Sequence, residues 1–175
     1  MNADEKELEQ IGTELEMRFS EVGECTTFTA PEEIIKVVKD KVGDDATRII
    51  ESWDRLPDMV GLAQIQKPLS SASKRLVLVE VIDALPQLQD IYRMKRYSET
   101  LTPEYSFLVI KKDFDKQIRE FLEDHPHMLM FLTKESRLMS GTKPITVLHL
   151  NDMGSLERDE ELSSADPFDP KHMWS

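Results

Sequence analysis

Between residues 2 and 22 apolar side chains return at three- and four-residue steps, at Leu8, Ile11, Leu15, Phe19 and Val22, while acids fill the opposite face. That period predicts an amphipathic helix, closed by Gly23. Asn2 stands where it can cap the first turn, and Asp4 and Glu5 stand where the positive end of the helix dipole favours carboxylates. The seam is narrow enough to suit either the chain's own core or a partner helix. Packing at home is the commoner fate of such a stripe.

Thr29-Ala30-Pro31-Glu32 reads as a capping box with proline in the first turn, opening a second helix with Ile34, Ile35, Val38 and Val42 on its apolar face. Gly43 ends it. Asp44 or Asp45 then caps a third helix with Ile49, Ile50, Trp53 and Leu56 on one side, stopped by Pro57, so the two helices form a hairpin. Residues 57–71 hold Pro57, Gly61, Pro68 and a Ser-Ser pair with no sustained period, which predicts an irregular connection. Leu76–Ile82 pulls both ways. Its β-branched residues favour a strand, whereas Glu80, Asp83, Gln87 and Asp90 fall on one helical stripe; the reading adopted is a helix, broken at Pro86.

From Tyr105 the character changes. Ser106–Ile110 reads as a strand after Pro103, and Asp113 caps a helix that turns Phe114, Ile118, Phe121 and Leu122 inward and ends before Pro126. Met128–Thr133 and Ile145–Leu150 read as two strands joined by a loop containing Gly141 and Pro144. The expected fold is therefore α+β: four to five N-terminal helices, then a small C-terminal sheet with one inserted helix. Residues 1–150 form the single domain. Residues 151–175 carry acids, serines and two Asp-Pro steps without any period, and are expected to be a flexible acidic tail.

Charge sharpens this division. The net charge of −12 sits mostly at the ends: residues 1–24 carry eight acids against Lys6 and Arg18, and residues 151–175 carry seven against Arg158 and Lys171. Cys25 is the only cysteine, so no intramolecular disulfide and no multi-cysteine metal site can form within one chain. The N-terminus is acidic where a secretory signal is basic, and the longest apolar runs are far short of the ~20 residues a bilayer needs. A soluble, intracellular (cytoplasmic) protein without membrane contact is expected.

Candidate chemistry is sparse. His125, His127 and His149 invite a metal reading. A strand register in which paired numbers sum to 277 puts His149 opposite Met128, on the face His127 does not share, so no metal site and no cofactor are expected. Glu24 and the acidic first helix raise the Cys25 thiol pKa, which predicts an inert residue at a helix end rather than a nucleophile. Asp113 and Asp115 are accounted for by capping, and no catalytic motif is present, so no enzyme is predicted.

Tyr92, Arg93, Lys95, Arg96 and Tyr97 form the one basic stretch interleaved with aromatics, near Lys74-Arg75 and Lys111-Lys112 in prospect. It suits a single-stranded nucleic acid, but the overall charge repels one. In the tail, Glu160 and Glu161 precede Phe168 and Trp174, isolated anchors in an acidic strand. Asp166-Pro167-Phe168 resembles the short peptide that endocytic proteins offer to the clathrin adaptor appendage, and the acidic run is similar in kind to the tails of bacterial single-strand-binding proteins. These likenesses cover a few residues and assign no family.

The function expected from the sequence is a non-catalytic interaction protein: a regulator, inhibitor or immunity-like protein, assembly chaperone or complex subunit. It binds a basic protein partner through its acidic ends, with Leu8, Ile11, Leu15, Phe19, Phe168 and Trp174 as anchors and Glu160 and Glu161 steering the encounter. Homo-oligomerisation is compatible with the same surfaces. The rival readings are a nucleic-acid-mimicking inhibitor and a single-strand binder using residues 92–97 under control of the tail.

Overall fold

The computed structural model describes residues 4–65, 73–134, 140–163 and 166–168. In chain order they form α1 (Glu5–Ser20), β1 (Gly23–Phe28), α2 (Pro31–Lys41), α3 (Asp44–Glu51), β2 (Met59–Ile65), β3 (Arg75–Ile82), α4 (Leu88–Leu101), β4 (Tyr105–Ile110) and α5 (Lys116–Asp124). A 3-10 turn (Pro126–Leu129), β5 (Met130–Lys134), β6 (Ser140–Leu150) and β7 (Leu156–Arg158) follow. The strands make one mixed sheet in the order β1-β2-β3-β4-β6-β5, with β7 also on β6. β3, β4 and β6 run parallel to one another, and the remaining pairings are antiparallel.

The class is α+β, but helices do not come first with a small sheet after them. Three of the seven strands lie in the first half of the chain, and the sheet is the centre of the molecule. The main correction falls on Leu76–Ile82, expected as a helix and found within the central strand β3, Arg75–Ile82. Its two faces are both buried, with Val77, Leu78 and Val79 at 0 % exposure, and a strand covered on both sides reads as a continuous apolar run rather than an alternating one. Pro86 breaks no helix; it lies in the link between β3 and α4. Gln87 caps α4, its N–H donating to Asp90 Oδ2 at 2.8 Å.

Two further strands replace expected irregular chain. β1 begins at Gly23, which was expected only to end a helix, and β2 occupies the stretch from Met59. Gly23 pairs with Ile65 at a point where a Cβ would collide with the Gln64 carbonyl, so glycine serves close approach there. Gly61, expected as a turn signal, sits mid-strand. A Cβ would come within 3.2 Å of the Thr26 carbonyl oxygen and 3.3 Å of the Val77 side chain.

The helices fare better, with shifted ends. α1 matches its stripe. α2 carries Pro31 in its first turn but is capped by Ala30, without a side-chain bond from Thr29. α3 starts after Gly43, whose φ of 109° is one that glycine adopts freely. α5 is capped by Asp115, not Asp113, with the Gln117 N–H donating to Asp115 Oδ1 at 2.9 Å. β5 and β6 do form an antiparallel pair, in a register of Met130 with Pro144 and Thr133 with Gly141. His149 lies beyond that ladder and pairs with Ile110 of β4 and Glu157 of β7, not with Met128.

One sheet face packs on α2, α3, α4 and α5, through Val60, Leu78, Leu108 and Val147 against Ile34, Ile50, Ile91 and Leu122. The other face takes α1, whose Ile11, Leu15 and Phe19 are all 0 % exposed against Met59, Val77, Phe107 and Leu148. Burial of each such side chain favours folding by about 1.5–3 kcal/mol, so the seam of α1 is core. Regular structure continues past Leu150: the chain turns through Asn151–Ser155 and returns as β7, with the Asn151 side chain accepting from the N–H groups of Met153 and Ser155 at 3.0 Å. No helix among the described residues is long and apolar enough to cross a membrane.

Candidate functional site

Three charged regions stand out. The first is the outer side of α1 and the start of β1. Asp4, Glu5, Glu9, Glu21 and Glu24 are exposed, and among the described residues none of them has a cation within 4 Å. The other acids of the helix are engaged: Glu14 with Arg18 at 3.3 Å, Glu7 with Lys111, and Glu16 as acceptor for the Thr27 N–H at 2.7 Å and hydroxyl at 2.8 Å. That last contact closes a backbone donor on the edge strand β1. Met17, on the same helix, is 58 % exposed.

The second region is buried between the sheet and α4. Glu80 points from β3 into the α4 layer at 0 % exposure and accepts from Arg93 Nε at 2.7 Å, with Arg55 Nη2 at 3.4 Å. Arg55 also forks onto both oxygens of Asp58 at 2.7 and 2.8 Å, and Arg93 reaches Asp90 at 2.8 Å. The Tyr97 hydroxyl donates to the Arg55 carbonyl at 2.8 Å, and the Val81 N–H donates to Asp58 at 2.8 Å, so loop, strand and helix are locked together. Burial, then the neighbouring Asp58 carboxylate, push Glu80 up to about 7 against the pull of the two guanidinium groups. Glu80 Oε2 has no hydrogen-bond partner among the described residues. Both carboxylates are occupied by arginines whose own side chains are only about a quarter exposed, which describes a staple more than a binding site.

The third lies where β4 and β6 end. Asp113 follows β4, His149 ends the β6 ladder, and Asp159 follows β7; one ligand atom from each falls within 4.8 Å of the others. Asp159 Oδ2 contacts His149 Nε2 at 2.9 Å and Arg119 Nη2 at 2.6 Å, and the same Nη2 reaches Asp113 at 2.7 Å. Asp159 Oδ1 accepts from the N–H groups of Glu161 and Leu162 at 3.2 and 3.0 Å. Burial alone disfavours the Asp159 charge, but the hydrogen bonds from His149 and Arg119 outweigh it and hold this carboxyl well below the usual range.

The residues expected to bind partners are distributed among these regions and the core. Leu8 is half-buried and Ile11, Leu15 and Phe19 are buried under α1. Phe168 stacks on Phe107 at 5.6 Å and meets Phe19 edge-on at 5.2 Å. Glu160 lies 3.7 Å from Arg158, and Glu161 receives Arg119 at 2.9 Å. Trp174 lies outside the described residues.

The basic stretch is split by the helical period. Arg93 turns into the Glu80 network and Tyr97 into the core, while Tyr92 stays 57 % exposed. Lys95 donates to the His127 carbonyl at 3.3 Å, and Arg96 lies over the Trp53 ring at 5.0 Å. Lys111 pairs with Glu7 and, at 2.6 Å, with Asp83. Cys25 sits in β1, where burial and then Glu16, rather than Glu24, push its thiol up to about 12. His125 stacks on Phe121 at 4.5 Å, beside His127 at 5.8 Å, and neither joins His149 in a group of ligating atoms among the described residues.

Asp58, Glu80 and Asp159 were not singled out from the sequence. The one available signal was Glu80 itself, a lone acid inside an otherwise apolar run, which needs a buried cation to be tolerated. No family model, curated protein or solved structure matches the chain.

Proposed function

We propose that the protein is a non-catalytic interaction module that acts in an intracellular compartment and docks a basic protein partner on the outer side of α1 and the adjoining start of β1. The carrying observation is the set of exposed acids, Asp4, Glu5, Glu9, Glu21 and Glu24, that lack a cation among the described residues and are opposed on that helix side by Lys6. Unpaired exposed charge of one sign speeds encounter with a surface of the other sign, and Met17, on the same helix, supplies an adaptable apolar contact. The anchors first sought in the seam and at Phe168 are spent on the core, which moves the docking surface to the wet side of the same helix. Loss of Arg93 to the Glu80 network and of Tyr97 to the core breaks up the 92–97 stretch and weighs against a nucleic-acid reading.

The test is affinity recovery from the native source with the wild type and with Glu5→Lys/Glu9→Lys/Glu21→Lys, at low and high salt. Partners lost in the triple variant and at high salt support the proposal. Recovery of the same partners by both proteins at both salts refutes it.

A further inference from the structure

We propose that Asp113, His149 and Asp159 form a binding site for one divalent transition-metal ion of the zinc class, with Arg119 as the resident cation that the metal displaces. Three observations converge. The donor set is one imidazole nitrogen and two carboxylates whose ligand atoms lie within 4.8 Å of one another, a span that small side-chain adjustments bring to metal-ligand distances of ~2.0–2.2 Å. A guanidinium nitrogen already bridges the two carboxylates, 2.6 Å from Asp159 and 2.7 Å from Asp113. The location is the rim beyond the carboxyl ends of the parallel strands β4 and β6, where open α/β sheets hold ligands.

Charge explains why Arg119 does not complete the site. Asp113 and Asp159, with Glu161 at 2.9 Å and Glu123 at 3.9 Å, converge on this one guanidinium, leaving negative charge in excess. Arg119 also has somewhere to go: its Nη1 already faces Glu161 and Glu123, whose side chains are 72 % and 42 % exposed, so a swing towards them that withdraws Nη2 and the Nε that donates to Asp113 at 3.2 Å frees both ligands without stranding the arginine. Asp159 is held in place by two backbone N–H groups on its other oxygen, the outer support that metal ligands need. The Asp113 side chain is 58 % exposed and that of His149 is 30 % exposed, which gives an ion a way in. The imidazole selects zinc, cobalt or nickel over magnesium and calcium.

Titration of the metal-free full chain with Co²⁺, read by visible absorption and followed by Zn²⁺ competition, tests the assignment. One equivalent of Co²⁺ should bind and raise the melting temperature. His149→Ala should weaken binding by about 100-fold or more. Asp113→Asn, at an exposed position, keeps the test informative if the histidine variant is unstable, and Arg119→Gln should tighten binding by removing the competitor. Absence of stoichiometric binding in both the wild type and Arg119→Gln overturns the proposal. So does Co²⁺ binding that is indifferent to His149→Ala and Asp113→Asn, or displacement of Co²⁺ by equimolar Mg²⁺.

Discussion

Glu80→Gln isolates the free energy of one buried charge. In the folded chain Glu80 is fully enclosed, and its pKa rises from the ordinary 4.5 to about 7 because burial and Asp58 outweigh Arg55 and Arg93. A carboxyl raised in the folded state favours folding while it is protonated, so its contribution is complete below the unfolded value and declines as pH climbs towards 7. Between pH 5 and pH 8 the linkage integral for that shift is about 2–3 kcal/mol. Glutamine keeps the size and the neutral form but cannot ionise. Urea unfolding of both proteins across that interval should therefore show the variant gaining on the wild type by about 2–3 kcal/mol, whatever the offset between them at pH 5. A gap that stays constant with pH would refute the claim that desolvation dominates this site, and would mean that the two arginines compensate the charge fully.

Gly23→Ala should lower the melting temperature more than an exposed Gly→Ala change, since its Cβ meets the Gln64 carbonyl and β1 must shift off β2; calorimetry reads this directly. Phe168→Ala should destabilise by about 2 kcal/mol, below a fully buried phenylalanine because the ring is half-exposed, and denaturant melts that match the wild type would show that the ring is not part of the core. Cys25 should alkylate slowly with iodoacetamide at neutral pH, and Glu16→Gln should speed the reaction by removing the nearer acid; equal rates would discount the coulombic share of the shift.

Patterns that are local were readable from the chain. The α1 stripe, Pro31, Gly43 and the apolar run of β4 each carry their meaning within a few residues. β1, β2 and β3 do not. The strand β3 is apolar on both faces because its neighbours in space cover both, and its lone acid is tolerated by Arg93 on α4 and Arg55 before β2, contacts that no window around Glu80 contains. Gly61 looked like a turn because its reason is Thr26 and Val77 on adjacent strands. The charge of residues 151–163 suggested a free tail, yet Asp159 is drawn in by His149 and Arg119 and Leu156 is 0 % exposed. The same distance effect hid the Asp113, His149 and Asp159 group. The partners of His149 are carboxylates from either side of it in sequence, not His125 or His127.

The placement of α1 has a consequence for the order of assembly. Its seam is covered by β2, β3, β4, β6 and β7, and Arg18 donates to the carbonyl of Leu156, 138 residues further along the sequence. Enclosing Ile11, Leu15 and Phe19 therefore closes a long loop, and until it closes an apolar helix face invites misassociation. The acids on the outer side of the same helix repel like copies throughout that interval, so their charge guards the seam until the fold encloses it.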